Sequence, residues 1–129
     1  MNTDAEKAEY WRKELVESLR LIASPYEVQC SVLPDYVHLP DEILNALTPE
    51  SFDALLRHNM ITEVQLDELK KYDQCLECIQ LPDDYEEMLI DMQFGDQFKQ
   101  LRVDALGVLS MLGEEYKKPT VSAVYVRGS

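Results

Sequence analysis

The chain has 129 residues, which fits one domain of ordinary size spanning 1–129. Apolar residues make up 46% of it, so the low hydrophobicity that disorder requires is not met despite a net charge of −13. A surface that negative repels nucleic acid and anionic lipid, and it attracts basic proteins or divalent cations.

The charge is unevenly placed. Residues 61–98 carry eleven acids against two bases, whereas 99–129 carry three against five. Cys30, Cys75 and Cys78 are too few, and odd in number, for a disulfide framework. The first twenty residues are charged throughout, which excludes a signal peptide. The longest apolar-rich stretch, Val103 to Leu112, is about half the length of a membrane span. A cytoplasmic chain with no membrane contact is expected.

In chain order, Thr3 and Glu6 have capping-box spacing and open a helix from Asp4 to Ala23, with Trp11, Leu15, Leu19 and Ile22 at helical intervals. Ser24-Pro25 ends it. Tyr26, Val28, Cys30 and Val32 alternate with polar residues, the pattern of a half-buried strand. A short helix is predicted over Asp41–Leu47. Another starts at Thr48-Pro49 and stops at Asn59, a residue that tolerates the left-handed conformation. Thr62 and Gln65 repeat the capping-box spacing before a helix to about Gln80.

Asp83 and Asp84 begin a fifth helix with Tyr85, Met88, Leu89 and Met92 as its apolar side. After a break at Gly95-Asp96, a sixth runs to Leu112 and closes at Gly113. Its apolar character on nearly all sides predicts a central helix, and Gly107 within it predicts close approach of a neighbouring helix. The β-branched segment 120–126 reads as a strand paired with 26–32. The expected fold is mainly α: a compact bundle of five or six helices with a small two-stranded sheet.

Chemistry is sparse. Cys75-Leu-Glu-Cys78 falls late in a helix beside Asp73 and Glu77, where neither a redox nor a zinc motif is at home, and its thiols are expected as small buried hydrophobes. His38 and His58 share no ligand spacing with each other. No catalytic residue and no cofactor is expected. Glu14-x-x-Glu17 followed by Glu50-x-x-Asp53 is the one carboxylate arrangement that could hold Mg²⁺. All-helical nucleotide pyrophosphatases order their pairs that way, but nothing else in the chain follows them. On the alternative reading as a Mg²⁺-dependent nucleotide hydrolase, these four acids are the ligands.

The leading expectation is a non-enzymatic module that binds a basic protein. Its carboxylates would be Glu63, Asp67, Asp83, Asp84, Glu86, Glu87 and Asp91, with Tyr72 and Tyr85 as aromatic anchors. Small size, acidity and the absence of a catalytic signature are also the profile of bacterial immunity proteins, antitoxins and nuclease inhibitors. That likeness is one of physical type, without a shared motif. A self-associating structural or adaptor protein, pairing as a homodimer through a free strand edge, is the third reading.

Overall fold

A computed structural model describes residues 3–120. The protein is mainly α. Its helices are α1 (Asp4–Ala23), α2 (Tyr26–Val32), α3 (Leu39–Leu44), α4 (Phe52–Arg57), α5 (Glu63–Glu77), α6 (Tyr85–Phe94) and α7 (Asp96–Met111), with a 3-10 turn at Pro49–Ser51 leading into α4.

Local chemistry accounts for most boundaries. The Thr3 hydroxyl accepts the Glu6 N–H at 3.2 Å to start α1. At α5 the box is reciprocal: Gln65 N–H donates to Thr62 Oγ1 at 3.1 Å, and Thr62 N–H donates to Gln65 Oε1 at 2.9 Å. Asn59 closes α4 with φ 59°, and Gly113 closes α7 with φ 77°. Behind each, the next N–H reaches back five residues, Met60 to Leu55 O and Glu114 to Leu109 O, both at 2.9 Å. That is the Schellman arrangement, which needs a left-handed residue at the turn. At the α6–α7 junction a Cβ on Gly95 would stand 2.6 Å from Asp91 O, so only glycine fits.

α7 is the hub, packing against α1, α5 and α6. Phe98, Leu101, Ala105 and Leu109 form its buried row, meeting a core that includes Leu15, Leu19 and Ile22 of α1, Leu55 of α4 and Leu69 of α5. α5 and α7 run antiparallel, fastened at one end by Gln65 Nε2 to Met111 O (3.1 Å) and further along by Tyr72 Oη to Leu101 O (2.7 Å). The segment after α7 folds back over α1. Arg12 donates to Leu112 O at 3.0 Å, Arg20 Nε donates to Glu115 O at 3.0 Å, and Ser24 Oγ shares a 2.9 Å hydrogen bond with the Tyr116 hydroxyl.

The strand expected at 26–32 is a helix, and the sheet is not formed there. Its expected mate, 120–126, lies outside the described residues except for Thr120, which has no regular structure. The physical reason is Gln29, the buried residue of α2, whose amide donates to Leu21 O at 3.1 Å and Ile22 O at 3.4 Å. Those carbonyls lie in the last turn of α1, where Leu21 O also accepts the Ser24 N–H at 3.2 Å. Tyr26, Gln29 and Leu33 follow helical spacing toward the core, whereas Cys30, which alternation would bury, is exposed.

Gly107 departs from expectation too. A Cβ there would meet nothing within 4 Å among the described residues, so no neighbouring helix among them uses the space. The short helix expected at 41–47 begins earlier, at Leu39, because His38 Nδ1 accepts the Asp41 N–H at 3.3 Å and Pro40 suits the first turn.

Gln29→Ala removes the side chain that reaches Leu21 O and Ile22 O and is expected to cost about 0.5–1.5 kcal/mol in urea unfolding. Cys30→Ala, at an exposed position where a weak thiol bond to Tyr26 is lost, is expected to change stability by less than about 0.5 kcal/mol. The reverse order would restore the strand.

Candidate functional site

The expected partner face divides between two helices. Glu63 and Asp67 are exposed on α5, in the part of the helix that lies along the end of α7. Asp83, Asp84, Glu86 and Glu87 are exposed at the start of α6, where the Tyr85 ring meets His38 with centroids 4.9 Å apart, next to α3. The acids of α6 sit where the positive end of the helix dipole favours them. Asp84 also has a structural task as the N-cap, its carboxylate accepting the Glu87 N–H at 3.3 Å. Asp91 is half-buried, and its backbone oxygen accepts the Gly95 N–H at 2.7 Å.

The two tyrosines fare differently. Tyr85 is 40% exposed, with its hydroxyl accepting the Leu39 N–H at 3.5 Å, and remains available as an anchor. Tyr72 is not one. It is buried against α7 and donates to Leu101 O, and burial pushes its phenol far above the ordinary range, with Asp104 and Cys75 adding to the shift.

Sequence reasoning missed two residues here. Ile90 is 56% exposed and Phe94 is 68% exposed, although both belong to the apolar complement of α6. They follow Glu86 at intervals of four, so Glu86, Ile90 and Phe94 line one side of the helix, joined at its start by Glu87, with Asp83 just before the N-cap. The signal was present: Leu89 and Met92 already supply the side turned toward the core, which leaves Ile90 and Phe94 over.

Beneath the acidic end of α6 lies a cavity of about 170 Å³ lined by Tyr26, Cys30, Leu33, Leu39, Tyr85 and Leu89, among others. Burial and a hydrogen bond with Cys30 push the Tyr26 phenol up to about 12, with smaller contributions from the charges of Cys30 and Tyr85. It is a neutral hydrogen-bonding group at physiological pH. All three cysteines are exposed, which overturns the expectation of buried thiols. At the end of α5, Cys75 and the C-cap Cys78 fall outside the row of Leu69, Tyr72 and Leu76 that the core takes up.

The carboxylate pairs of the metal reading do not converge. Glu17 forms a 2.9 Å ion pair with Arg20 and accepts the Thr120 N–H at 2.9 Å. Arg20 is itself buried, so this side of α1 is not a solvent face. Glu14 borders a small crevice with Trp11, Thr48 and Ser51. Glu50 and Asp53 are exposed, and Glu50 lies within electrostatic reach of Asp73 on α5. Among the described residues, no three His, Cys, Asp or Glu side chains gather where they could hold a metal ion. No helix among them is long and apolar enough to cross a membrane.

Compared with family models, curated proteins and solved structures, the chain has no significant match in any of the three. The functional reading rests on its own residues.

Tyr72→Phe is expected to lower stability by about 0.5–1.5 kcal/mol in urea unfolding, through loss of the bond to Leu101 O. It should leave binding at the acidic start of α6 unchanged. Asp73 offers a pH test. Burial, then Glu77 and Glu50, raise its pKa above 3.8. Between that ordinary value and the raised one, the folded chain holds more protons than the unfolded chain, so stability falls as pH rises. Asp73→Asn is expected to raise Tm at pH 7, and calorimetry should find the gain gone once acid protonates Asp73 in both states.

Proposed function

We propose that the protein is a non-enzymatic binding module whose α6 docks on a basic surface of another protein and occludes it. The observation that carries this reading is the line of Ile90 and Phe94, both large, apolar and exposed, continuing directly from the carboxylates of Asp83, Glu86 and Glu87. Single exposed apolar residues are ordinary, but two large ones adjoining on one helix and rimmed by carboxylates have the make-up of an interaction patch. In protein interfaces, buried aromatic anchors hold the complex together while charges steer and orient its formation. Here both occur on one helix, with Tyr85 at its start as a second ring.

The division of labour follows from the chemistry. Lysine and arginine on the partner are drawn by the acidic first turn of α6, and this attraction weakens as salt screens it. Phe94 and Ile90 then bury apolar area that salt does not screen. Asp84 stays with its N-cap bond, so its carboxylate is only partly free for a partner.

The test is salt-graded capture of a basic protein from lysate on the immobilised chain, followed by purified-component kinetics. Reversing Asp83, Glu86 and Glu87 to lysine is expected to slow association at low salt by about tenfold or more and to flatten its salt dependence. Phe94→Ser is expected to act mainly on dissociation, also by about tenfold. Circular dichroism would verify that both variants fold. Retention of the same basic protein, unmoved by either change, would refute docking through α6.

A further inference from the structure

We propose that the groove between α5 and α7 seats an amphipathic helix flanked by lysine or arginine, contributed by the same basic partner. The proposal rests on the reading of the protein as a basic-protein binder and adds a second point of engagement. On α5 the groove is lined by Val64, Glu68, Lys71 and Cys75, residues that share one side of the helix. On α7 it is lined by Val103, Gly107 and Met111, spaced by four. The space between them is about 730 Å³.

Three observations point to a helical occupant. First, the walls are held in place without it: hydrogen bonds at Gln65–Met111 and Tyr72–Leu101 fasten the two helices. From Val64 to Cys75 the groove runs roughly 17 Å at 1.5 Å per residue, about three turns of helix. Second, Val64 and Val103 on its walls are 70% and 61% exposed. Third, Gly107 costs α7 about 1 kcal/mol relative to alanine. Nothing within 4 Å of its missing Cβ makes use of the gap. A helix laid in the groove would: bare backbone at that point lets two axes approach more closely than ordinary side chains allow.

Charge decides which helix fits. Glu68 and Asp104 belong to the lining, and Glu63 and Asp67 stand exposed on α5 beside Val64. Against these four carboxylates the lining offers one ammonium, Lys71, held by Glu68 at 3.3 Å. A second copy of the chain would bring its own net charge of −13 to this face and be repelled. An apolar face bordered by cations satisfies both the valines and the carboxylates, the helix-in-groove mode of recognition.

The probe is a Leu/Lys amphipathic helical peptide of about fourteen residues, long enough for the three turns, titrated into the ¹⁵N-labelled protein. The largest shifts are expected at the amides of Val64, Cys75, Val103 and Gly107. Replacing the peptide lysines by glutamate should abolish binding. Gly107→Leu is expected to raise Tm of the free protein, because leucine is the better helix former and its Cβ meets nothing within 4 Å. The same change should weaken peptide binding by about tenfold or more by filling the groove. Unchanged affinity in that stabilised variant would overturn the groove. So would shifts concentrated on 83–94, or the same groove shifts on concentrating the protein alone. If the groove fails while Phe94→Ser still releases the captured basic protein, only this inference falls; if Phe94→Ser has no effect while the groove binds, docking through α6 falls instead.

Discussion

The fold depends on the burial of one face of α7. Phe98, Leu101, Ala105 and Leu109 find cover on α1, α5 and α6 together, and no single neighbour would suffice. Burying a large aliphatic or aromatic side chain contributes roughly 1.5–3 kcal/mol, so this row accounts for a substantial part of a small domain's stability. Once α7 is placed, the positions of its neighbours follow. α5 is fastened along it through Gln65 and Tyr72. α6 is turned back on it at Gly95, and the Arg102 guanidinium donates to Met92 O at 2.9 Å across that turn.

Polar chemistry then seals the side of α1 turned to the returning chain. Arg20 is buried and serves three partners: Glu17, Glu114 and the Glu115 carbonyl. Arg12 adds Leu112 O and Glu114. A buried guanidinium is tolerable only with its donors engaged and its charge compensated. Glu17 is therefore committed to structure, and the carboxylate spacing on α1 that resembles a metal site has a different physical explanation.

With those groups occupied, what remains at the surface is distinctive in its placement more than in its composition. Carboxylates cluster at the start of α6 and along the outer side of α5. Each cluster adjoins apolar residues that the core has no room for: Ile90 and Phe94 in one case, Val64 and Val103 in the other. A solvated acidic face needs no such neighbours, and their adjacency is what turns charge into a reading of function. That adjacency was only half legible in sequence. The acids of the α6 cluster were read directly, but Ile90 and Phe94 were not among the residues that the spacing assigned to a side. Tyr72 was assigned outward and is buried, since its side of α5 is chosen by where α7 lies.

The amino-acid sequence by itself determined the helical character, the net charge, and those boundaries that depend on groups a few residues apart. Thr62 with Gln65, Asn59, Gly113 and the span of α1 all belong to this class, because a cap is completed within one turn of chain. Tertiary structure alone decided which side of each helix is covered. It made 26–32 a helix, because the Gln29 amide meets carbonyls at the end of α1 and short apolar alternation does not outweigh that. It left the cysteines, Phe94 and the Gly107 gap exposed, because burial is set by the arrangement of distant elements around α7, and local periodicity contains no record of that arrangement.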